Sequence, residues 1–278
     1  MIRYEKQYIS NLEKIMTKGT VGLNARTGIK TYRLPSTQIS VNLEAEFPIL
    51  MSKKVNWQTA VKEILWIMQK QSNRISDLGA HIWDSWADAE GTIGKAYGYQ
   101  VGKRVVRNGK EYESQVHYVL ETRKEDPSNR QCVIDLWNVD DINEMNLVPC
   151  CYSSVWNIID GKLNCMLVQR SADYPVGVPF DTTQYAALTY MFARHLGVKP
   201  GILTHVMADS HIYLNQVAGV KKQLEQYQVL SEHNYRRTAQ LPKFVIKPYV
   251  DNFFDMTLDD FMVENYEPMP AIKFEVAV

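Results

Sequence analysis

The stretch from Leu147 to Asp173, LVPCCYSSVWNIIDGKLNCMLVQRSAD, decides the fold. Two runs rich in β-branched and aromatic residues, Tyr152 to Ile159 and Leu163 to Gln169, predict strands. Asp160-Gly161 between them is typical of a two-residue hairpin turn. The stretch therefore predicts an antiparallel hairpin.

The open end of this hairpin carries a cysteine and an arginine. Cys150 immediately precedes the first strand and Arg170 follows the second, so strand pairing would bring them together. A free cysteine is more often a small buried hydrophobe than a nucleophile. A neighbouring guanidinium, however, lowers the pKa of a thiol and stabilises the reactive thiolate. Cys150 is therefore a candidate nucleophile.

Apolar periodicity and turn residues predict further elements on both sides of the hairpin. They are helices over Tyr4–Met16, Trp57–Met68, Thr182–Leu196 and Leu214–Tyr227, strands over Gln131–Trp137 and Ile202–Met207, and short strands and turns after Pro242. No repeat, low-complexity stretch or flexible linker separates them. We expect one domain over residues 1–278 with a shared α+β core.

Composition limits the classes of partner and compartment. The 31 basic and 31 acidic residues cancel, so the overall charge favours neither nucleic acid nor a membrane surface as partner. The N-terminus lacks the apolar core of a signal peptide, and no stretch approaches the length of a membrane span. We expect a cytoplasmic protein. The four cysteines lack metal-type spacing and are too few for a disulfide framework, so we expect no metal.

Motifs distributed along the chain resemble those of thymidylate synthases in order and spacing. They are Arg26-Thr27-Gly28, Glu63-Ile64-Leu65-Trp66, Ile82-Trp83-Asp84-Ser85-Trp86, Tyr97-Gly98, Asp126-Pro127 before Arg130, Leu147 to Cys150, Gln169 to Asp173, Gly177-Val178-Pro179-Phe180, Asp209-Ser210-His211-Ile212-Tyr213 and Val276-Ala277-Val278. The resemblance implies a single-domain thymidylate synthase fold, of the α+β class with a mixed β-sheet and flanking helices. It also implies one-carbon transfer from 5,10-methylenetetrahydrofolate to C5 of a pyrimidine nucleotide.

The resemblance assigns roles to individual residues. The catalytic group is Cys150, Glu63, Tyr97 and Asp173. The nucleotide-binding group is Arg26, Gln169, Arg170, Ser171, Asp181, His211 and Tyr213, with Arg130 from the other subunit. The folate-binding group is Ile82, Trp83, Leu147, Asp173, Gly177, Phe180 and Ala277. A homodimer that binds a nucleotide monophosphate and a folate, and needs no nucleic acid, is therefore expected.

The family's reaction implies a sequence of steps for these residues. Cys150 adds to C6 of the pyrimidine, which makes C5 nucleophilic. C5 takes the folate-borne carbon, and a base chain through Glu63, Tyr97 and water removes the C5 proton. The resulting exocyclic methylene gives a methyl group if it takes hydride from the folate, and a hydroxymethyl group if it takes water.

Four positions depart from the family pattern. The family's arginine after Arg130 is Gln131, which puts one phosphate contact in doubt. Its histidine after the nucleophile is Cys151, and its glutamine five residues after the nucleophile is Val155. We expect both of these to alter the ordered water beside the base. Its asparagine after Gly-x-Pro-Phe is Asp181.

Asp181 occupies the family's base-reading position. Asparagine donates to O4 of uracil and accepts from N3–H, whereas cytosine presents the reverse pattern. A neutral carboxyl donates to cytosine N3 and accepts from N4, and an ionised one accepts from both on an N3-protonated ring. Ionised Asp181 offers uracil O4 no donor. We therefore expect a cytosine nucleotide; the alternative is that Asp181 is only a helix N-cap.

The sequence leaves alternatives for both the product and the substrate. Asp181 resembles the deoxycytidylate hydroxymethylases, which slightly favours 5-hydroxymethyl-dCMP, while Trp83 and Phe274 to Val278 resemble water-excluding elements and favour 5-methyl-dCMP with dihydrofolate release. Ser171 and Arg130 follow the deoxynucleotide pattern, which favours dCMP over CMP. The alternatives are a thymidylate synthase that converts dUMP to dTMP and tolerates Asp181, and a non-catalytic nucleotide- or RNA-binding relative.

Overall fold

The computed structural model describes residues 3–232 and 240–276. Its helices are α1 (Arg3–Lys18), α2 (Trp57–Met68), α3 (Gly98–Val101), α4 (Gln115–Glu125), α5 (Gly177–Leu196) and α6 (Val217–Glu232). Its strands are β1 (Thr20–Leu23), β2 (Lys30–Asn42), β3 (Val105–Arg107), β4 (Lys110–Tyr112), β5 (Val133–Asp135), β6 (Cys151–Ile159), β7 (Lys162–Gln169), β8 (Ala172–Asp173), β9 (Lys199–Tyr213), β10 (Lys243–Ile246) and β11 (Phe261–Glu264). None of the helices in these ranges combines the length and apolar content needed to cross a bilayer.

A mixed sheet organises the fold, in the order β1-β2-β9-β7-β6-β5 with β8 beside β9. β7 and β8 run parallel to β9, and the other neighbours are antiparallel. β6 and β7 form the predicted hairpin, whose turn residues Asp160 and Gly161 have φ of 50° and 68°. Two positive φ values match the twist of the flanking strands. The predicted α+β class with a mixed sheet and flanking helices is confirmed.

β9 is longer than the predicted strand over 202–207, because the register with β2 continues past Asp209, where the apolar alternation has stopped. Asp209 has φ of 40°, and the pairing with β2 skips both it and Pro35. Beyond this point β8 pairs with β9 and extends it. Because β7 and β9 are parallel, the extension carries His211 and Tyr213 to the end of the sheet where β7 ends at Gln169.

α5 connects the sheet to the rest of the core. It begins at Gly177, earlier than the predicted Thr182, because Pro179 lies in the first helical turn, where no intrahelical N–H bond is lost. It ends at Gly197, whose φ of 65° suits a left-handed cap. α5 packs on β7 and β9, and α2 packs on α5. Asp181 thus lies inside the helix, and the N-cap interpretation is wrong.

The face of the sheet away from α5 is partly exposed and apolar in its centre. Trp156 packs on Phe192 of α5 with ring centroids 4.8 Å apart, which identifies the inner face. On the outer face, register places Val133 opposite Val155 and Val155 opposite Met166. Met166 is 41% exposed and Val133 is 37% exposed. This row of apolar side chains leaves a flat surface that a second sheet could cover.

Candidate active site

Cys150 lies at the open end of the β6–β7 hairpin, as the sequence predicts. The backbone N–H of Arg170 donates to the Cys150 carbonyl at 2.9 Å, and the Cys150 N–H donates to the Tyr97 hydroxyl at 3.1 Å. Cys150 is the one cysteine that is partly exposed. The fully buried cysteines are Cys132, Cys151 and Cys165. The site therefore presents a single thiol that a substrate can reach.

Arg170 is held beside this thiol by backbone carbonyls. Its Nε donates to Pro149 O at 3.0 Å, and its Nη2 donates to Val148 O at 2.8 Å. The same Nη2 lies 4.0 Å from Cys150 Sγ. Burial raises the pKa of the Cys150 thiol, and the Arg170 charge lowers it by less. The expectation of a net depressed pKa is therefore wrong for the protein without substrate.

Tyr97 is fixed in an unusual backbone conformation next to the thiol. Its φ is 43°, a value that non-glycine residues adopt only where the surroundings impose it. Gly98 contributes to this constraint, because a Cβ there would lie 2.1 Å from the Ser72 carbonyl oxygen. Burial raises the pKa of Tyr97 well above its ordinary value. The Tyr97 hydroxyl thus stays protonated and keeps one proton to donate.

Glu63 is buried on α2 with a donor at each carboxylate oxygen. The Trp83 indole N–H donates to Oε1, and the Gln184 amide donates to Oε2. Burial raises the pKa of Glu63 to about 7, and the bonds from Trp83 and Gln184 act in the opposite direction. The Trp83 ring lies 5.1 Å from the Tyr97 ring, so this carboxyl belongs to the same group of side chains as the thiol.

Asp181 is held by a chain of hydrogen bonds whose direction can be assigned. Gln169 Nε2 lies 3.0 Å from Ser171 O and 2.9 Å from Asp181 Oδ2. Because a carbonyl only accepts, the Gln169 amide nitrogen faces both, and its oxygen faces His205 Nε2 at 2.7 Å. Burial lowers the pKa of His205 to about 3, so the neutral ring carries its proton on Nε2. Asp181 Oδ2 is therefore always an acceptor from Gln169.

The same chain ends at Thr182, and a thiol completes the surroundings of Asp181. The Thr182 hydroxyl donates to the Val178 carbonyl at 2.7 Å and lies 3.0 Å from His205 Nδ1. Cys151, buried at the start of β6, hydrogen-bonds the Asp181 carboxyl. The expectation that Cys151 alters the ordered water beside the base stays a prediction. Val155, by contrast, lies on the outer face of the sheet, so its predicted place beside the base is wrong.

The carboxyls of Glu63 and Asp181 have pKa values in the same range. Burial and, to a smaller extent, the Glu63 charge raise the pKa of Asp181 to about 7, although the hydrogen bonds from Gln169 and Cys151 act in the opposite direction. Carboxyls that change protonation near neutral pH are suited to proton transfer. Because the charges interact, the apparent pKa values belong to the pair.

The residues predicted to bind the nucleotide fall into one group near Cys150 and one exception. Burial raises the pKa of Tyr213, and side-chain hydrogen bonds from Thr27 and Arg26 lower it. The Arg26 charge also lowers the pKa of Cys150. His211 packs edge-on against Tyr213 with ring centroids 5.1 Å apart, and its Nδ1 lies 2.8 Å from the Asp209 carbonyl. Arg26, Arg170, His211 and Tyr213 thus surround one end of the sheet.

Arg130 is the exception, because strand register places it at the opposite end of β6. The Trp156 N–H donates to the Cys132 carbonyl, and Arg130 lies two residues further from the site. Six strand residues separate Cys150 from Trp156, which corresponds to roughly 20 Å. Arg130 is exposed there, and Gln131 follows with its carbonyl accepting from the Tyr118 hydroxyl. The chain does not bring Arg130 to its own nucleophile.

Gly177, one of the predicted folate residues, lies between Asp173 and Asp181. A Cβ on Gly177 would lie 3.5 Å from Asp181 Oδ2 and 4.0 Å from Asp173 Cβ. Asp173 Oδ1 is buried with no hydrogen-bond partner within the described ranges, and burial raises the pKa of Asp173. A donor-rich heterocycle fits this orphaned acceptor. Ile82 is exposed beside Trp83, and Leu147 and Phe180 are partly buried against the core.

The C-terminal segment closes over the same region. Gln216 donates to Asp173 Oδ2 at 3.0 Å and to the Glu275 carbonyl at 3.2 Å. Phe274 packs where a Cβ on Gly219 would lie, 2.5 Å from its ring. Lys53 Nζ lies 4.6 Å from the centre of the Phe274 ring. Ala277, the remaining predicted folate contact, lies outside the described residues.

Sequence reasoning missed several residues of this site. They are Lys53, Gln184, His205 and Gln216. Gln184 follows Asp181 by three residues on a predicted helix, so helical spacing could have identified it. His205 and Gln216 carry no such signal, since their partners are distant in sequence. In the described ranges no group of three or more His, Cys, Asp or Glu side chains is placed to hold a metal ion.

Comparisons with known proteins agree with the fold and the motifs. The family profile described as thymidylate synthase matches residues 6–278. A thymidylate synthase of Clostridium beijerinckii is 42% identical over 281 residues and covers 100% of both chains. One from Bacillus phage phi3T is 37% identical, again over 100% of both chains. The structure of the thermostable thymidylate synthase A from Bacillus subtilis superposes with a TM-score of 0.87 and 37% identity over 99% of each chain. This chain therefore belongs to the thymidylate synthase family.

Proposed function

We propose that this protein transfers a one-carbon unit from 5,10-methylenetetrahydrofolate to C5 of a pyrimidine deoxynucleotide 5'-monophosphate, and that the pyrimidine is dCMP. The observation that supports dCMP is the partly buried carboxyl of Asp181 on α5, which accepts a hydrogen bond from Gln169. Ser171 and Arg130 follow the family's deoxynucleotide pattern, which supports the deoxyribose form.

The geometry supports a division of labour among the side chains. Cys150 attacks C6 once its thiol has lost its proton, and the Arg170 guanidinium stabilises the thiolate. Glu63 accepts a proton when ionised, and the Tyr97 hydroxyl supplies a donor close to Cys150. The folate brings the carbon to be transferred, and the buried Oδ1 of Asp173, which has no hydrogen-bond partner among the described residues, is an acceptor for its heterocycle.

Cytosine recognition depends on a difference between a carboxyl and an amide at position 181. Both accept a hydrogen bond from Gln169, but the two groups can then make different hydrogen bonds to the base. An asparagine facing the Gln169 donor must present its oxygen to it, so its amide group has one fixed orientation. That orientation gives uracil its donor and acceptor. A carboxyl oxygen accepts from Gln169 whether or not it carries a proton, so Asp181 can share its proton with cytosine N3 and accept from the cytosine amine.

A second substrate, dUMP, is favoured by a different observation. The relatives reported above are named thymidylate synthases, which supports conversion of dUMP to dTMP over modification of dCMP. A neutral carboxyl also offers one donor and one acceptor, and the pKa of about 7 leaves a neutral fraction of Asp181 at neutral pH. Release of tritium from 5-tritiated dCMP and 5-tritiated dUMP distinguishes the two. Faster release from dUMP would overturn the dCMP assignment while keeping the reaction.

Two products are compatible with dCMP as substrate. The resemblance to deoxycytidylate hydroxymethylases favours the hydroxymethyl product, but the names of the relatives do not support it. The burial of Trp83 and the Gln216–Glu275 contact favour exclusion of water and hence a methyl product. A rise in dihydrofolate absorbance during turnover would identify methylation, and product formation without a rise would identify hydroxymethylation.

A homodimer with Arg130 acting across the interface fits two features. The apolar outer face of the sheet remains partly exposed in one chain, and Arg130 lies at the far end of β6 from its own Cys150. Pairing of two such faces about a two-fold axis would cover the apolar row and would bring each Arg130 towards the other chain. The alternative of a non-catalytic nucleotide- or RNA-binding relative requires that Cys150→Ser leave function unchanged.

A further inference from the structure

The carboxylate of Glu63 is enclosed by two protein donors from different parts of the chain. Trp83 donates to one oxygen and Gln184 to the other. Glu63 is 8% exposed and Gln184 is 4% exposed, so water contributes little to either group. The motifs shared with the family do not include Gln184. Its amide nevertheless makes the direct contact between α5 and the Glu63 carboxylate on α2.

A carboxylate in these surroundings depends strongly on its donors. Removing an ionised group from water is costly unless hydrogen bonds replace the lost hydration. Burial raises the pKa of Glu63 to about 7, and the two donors are the groups that oppose this effect. With one donor removed, more of the carboxyl is neutral at a given pH. A neutral carboxyl cannot accept a proton.

The position of Gln184 also links proton transfer to base reading. Gln184 follows Asp181 by three residues, so both side chains project from neighbouring turns of α5. One of them holds Glu63, and the other faces Gln169 and Cys151. The Gln184–Glu63 bond therefore fixes the distance between the base-reading carboxyl on α5 and the carboxyl on α2.

We propose that Gln184 is a positioning residue that holds the Glu63 carboxylate ionised and oriented to accept a proton during turnover. This inference rests on the proposed function, since proton acceptance by Glu63 is part of it. Gln184 acts through Glu63 and needs no contact with the nucleotide.

The experiment compares Gln184→Met, which keeps the length of the side chain and removes the donor, with wild type. The acid limb of kcat for tritium release from the preferred 5-tritiated nucleotide should move up by about one pH unit, because one charge-assisted hydrogen bond corresponds to roughly one to two pKa units. At a pH one unit below the wild-type midpoint, kcat should fall by up to about tenfold, with KM nearly unchanged. Above both midpoints kcat should approach the wild-type value.

Gln69→Met is the matched control. Gln69 is a glutamine whose amide donates to the Phe253 and Met256 carbonyls at 2.7 and 2.8 Å, away from Glu63. Its loss should lower the melting temperature and leave the acid limb in place. If Gln184→Met fails to fold, Gln184→Asn provides a second variant, whose amide is one methylene too short to reach Glu63 and should shift the limb in the same direction.

The outcomes separate the inference from the proposed function. An acid limb at the wild-type midpoint in a folded Gln184 variant would overturn the role of Gln184, even if kcat fell equally at every pH. No tritium release by wild type from either nucleotide would overturn the proposed function instead. An upward shift in Gln69→Met of the same size would show a general effect of destabilisation and would also overturn the role.

Discussion

Replacing Asp181 with asparagine should exchange the preferred base and remove one limb of the pH profile. Gln169 donates to Asp181 Oδ2, and its own orientation is set by the Ser171 carbonyl. The introduced asparagine must therefore turn its oxygen towards Gln169 and cannot reverse its amide to suit cytosine. Two contacts to the base, at N3 and at position 4, then become mismatched for dCMP.

The size of the change follows from the cost of buried unsatisfied groups. Each mismatched contact costs about 1–3 kcal/mol, so two cost about 2–6 kcal/mol. At about 1.4 kcal/mol per factor of ten, kcat/KM for dCMP should fall by about 30-fold to about 10⁴-fold relative to that for dUMP.

The pH dependence gives a second, independent signature. With either base, the wild-type complex needs the one proton that neutral Asp181 supplies, and burial raises the pKa of Asp181 to about 7. As pH rises through this value the free enzyme loses that proton, so kcat/KM should fall about tenfold per pH unit. Two units above it the loss is about 100-fold. An asparagine side chain needs no proton, so Asp181→Asn should lack this basic limb with dUMP.

Tritium release from 5-tritiated dCMP and dUMP, measured across pH for wild type and Asp181→Asn, tests both signatures. Cys150→Ser provides the blank, because it removes the nucleophile and leaves the base reader intact. An Asp181→Asn enzyme that kept the wild-type preference for dCMP would refute the account of base reading. A basic limb of unchanged position in that variant would show that another group titrates there.

Three further predictions concern stability, the thiol and the dimer. The pKa of Asp181 in the folded protein is raised from 3.8 to about 7, so the free energy of unfolding should fall by up to about 4 kcal/mol as pH rises between these values. In calorimetry, Asp181→Asn should therefore melt at a higher temperature than wild type near pH 8. Below pH 4 it should not. Iodoacetamide labelling, followed by mass spectrometry, should modify one thiol per chain, Cys150, at a rate that rises with pH beyond 9. In Arg170→Met the rise should occur at higher pH. Rapid labelling at neutral pH would contradict the raised pKa. Mixing inactive Arg130→Ala and Cys150→Ser chains should restore about one quarter of wild-type activity if Arg130 acts across the dimer, and none if it acts within its own chain.

The sequence predicts the elements whose patterns are local and regular. The β6–β7 hairpin and α2 follow from alternation, helical spacing and the Asp160-Gly161 turn, and the structure confirms them. The extension of β9 could not be predicted, because Asp209 and Pro35 break the alternation while β8 restores the pairing from elsewhere. Burial also escapes sequence reasoning, which is why the pKa of Cys150 is raised although a guanidinium lies beside the thiol.

The sequence predicts the site residues that belong to the shared motifs. It does not predict the contacts that depend on packing between distant segments. Cys150, Arg170 and Tyr97 meet as the shared motifs imply. The Gln184–Glu63 and Gln169–His205 bonds join residues 121 and 36 positions apart, and no local pattern announces them. For Val155, the motif comparison predicted a place beside the base that the structure does not show. Val155 lies on the outer face of the sheet, and the face on which a strand residue lies decides what it can contact.

The charge of Asp181 has a consequence for inhibitor selectivity. Where the family pattern has a neutral amide, this chain has a carboxyl whose pKa is about 7 and which is mostly ionised above that pH. A ligand with an amidine-like head would place two parallel N–H donors against that carboxylate and gain a charge-assisted, fork-shaped contact. The same head would meet an amide donor in an asparagine enzyme and lose one of its partners. One side chain thus offers a route to compounds that distinguish this enzyme from the thymidylate synthases of other cells.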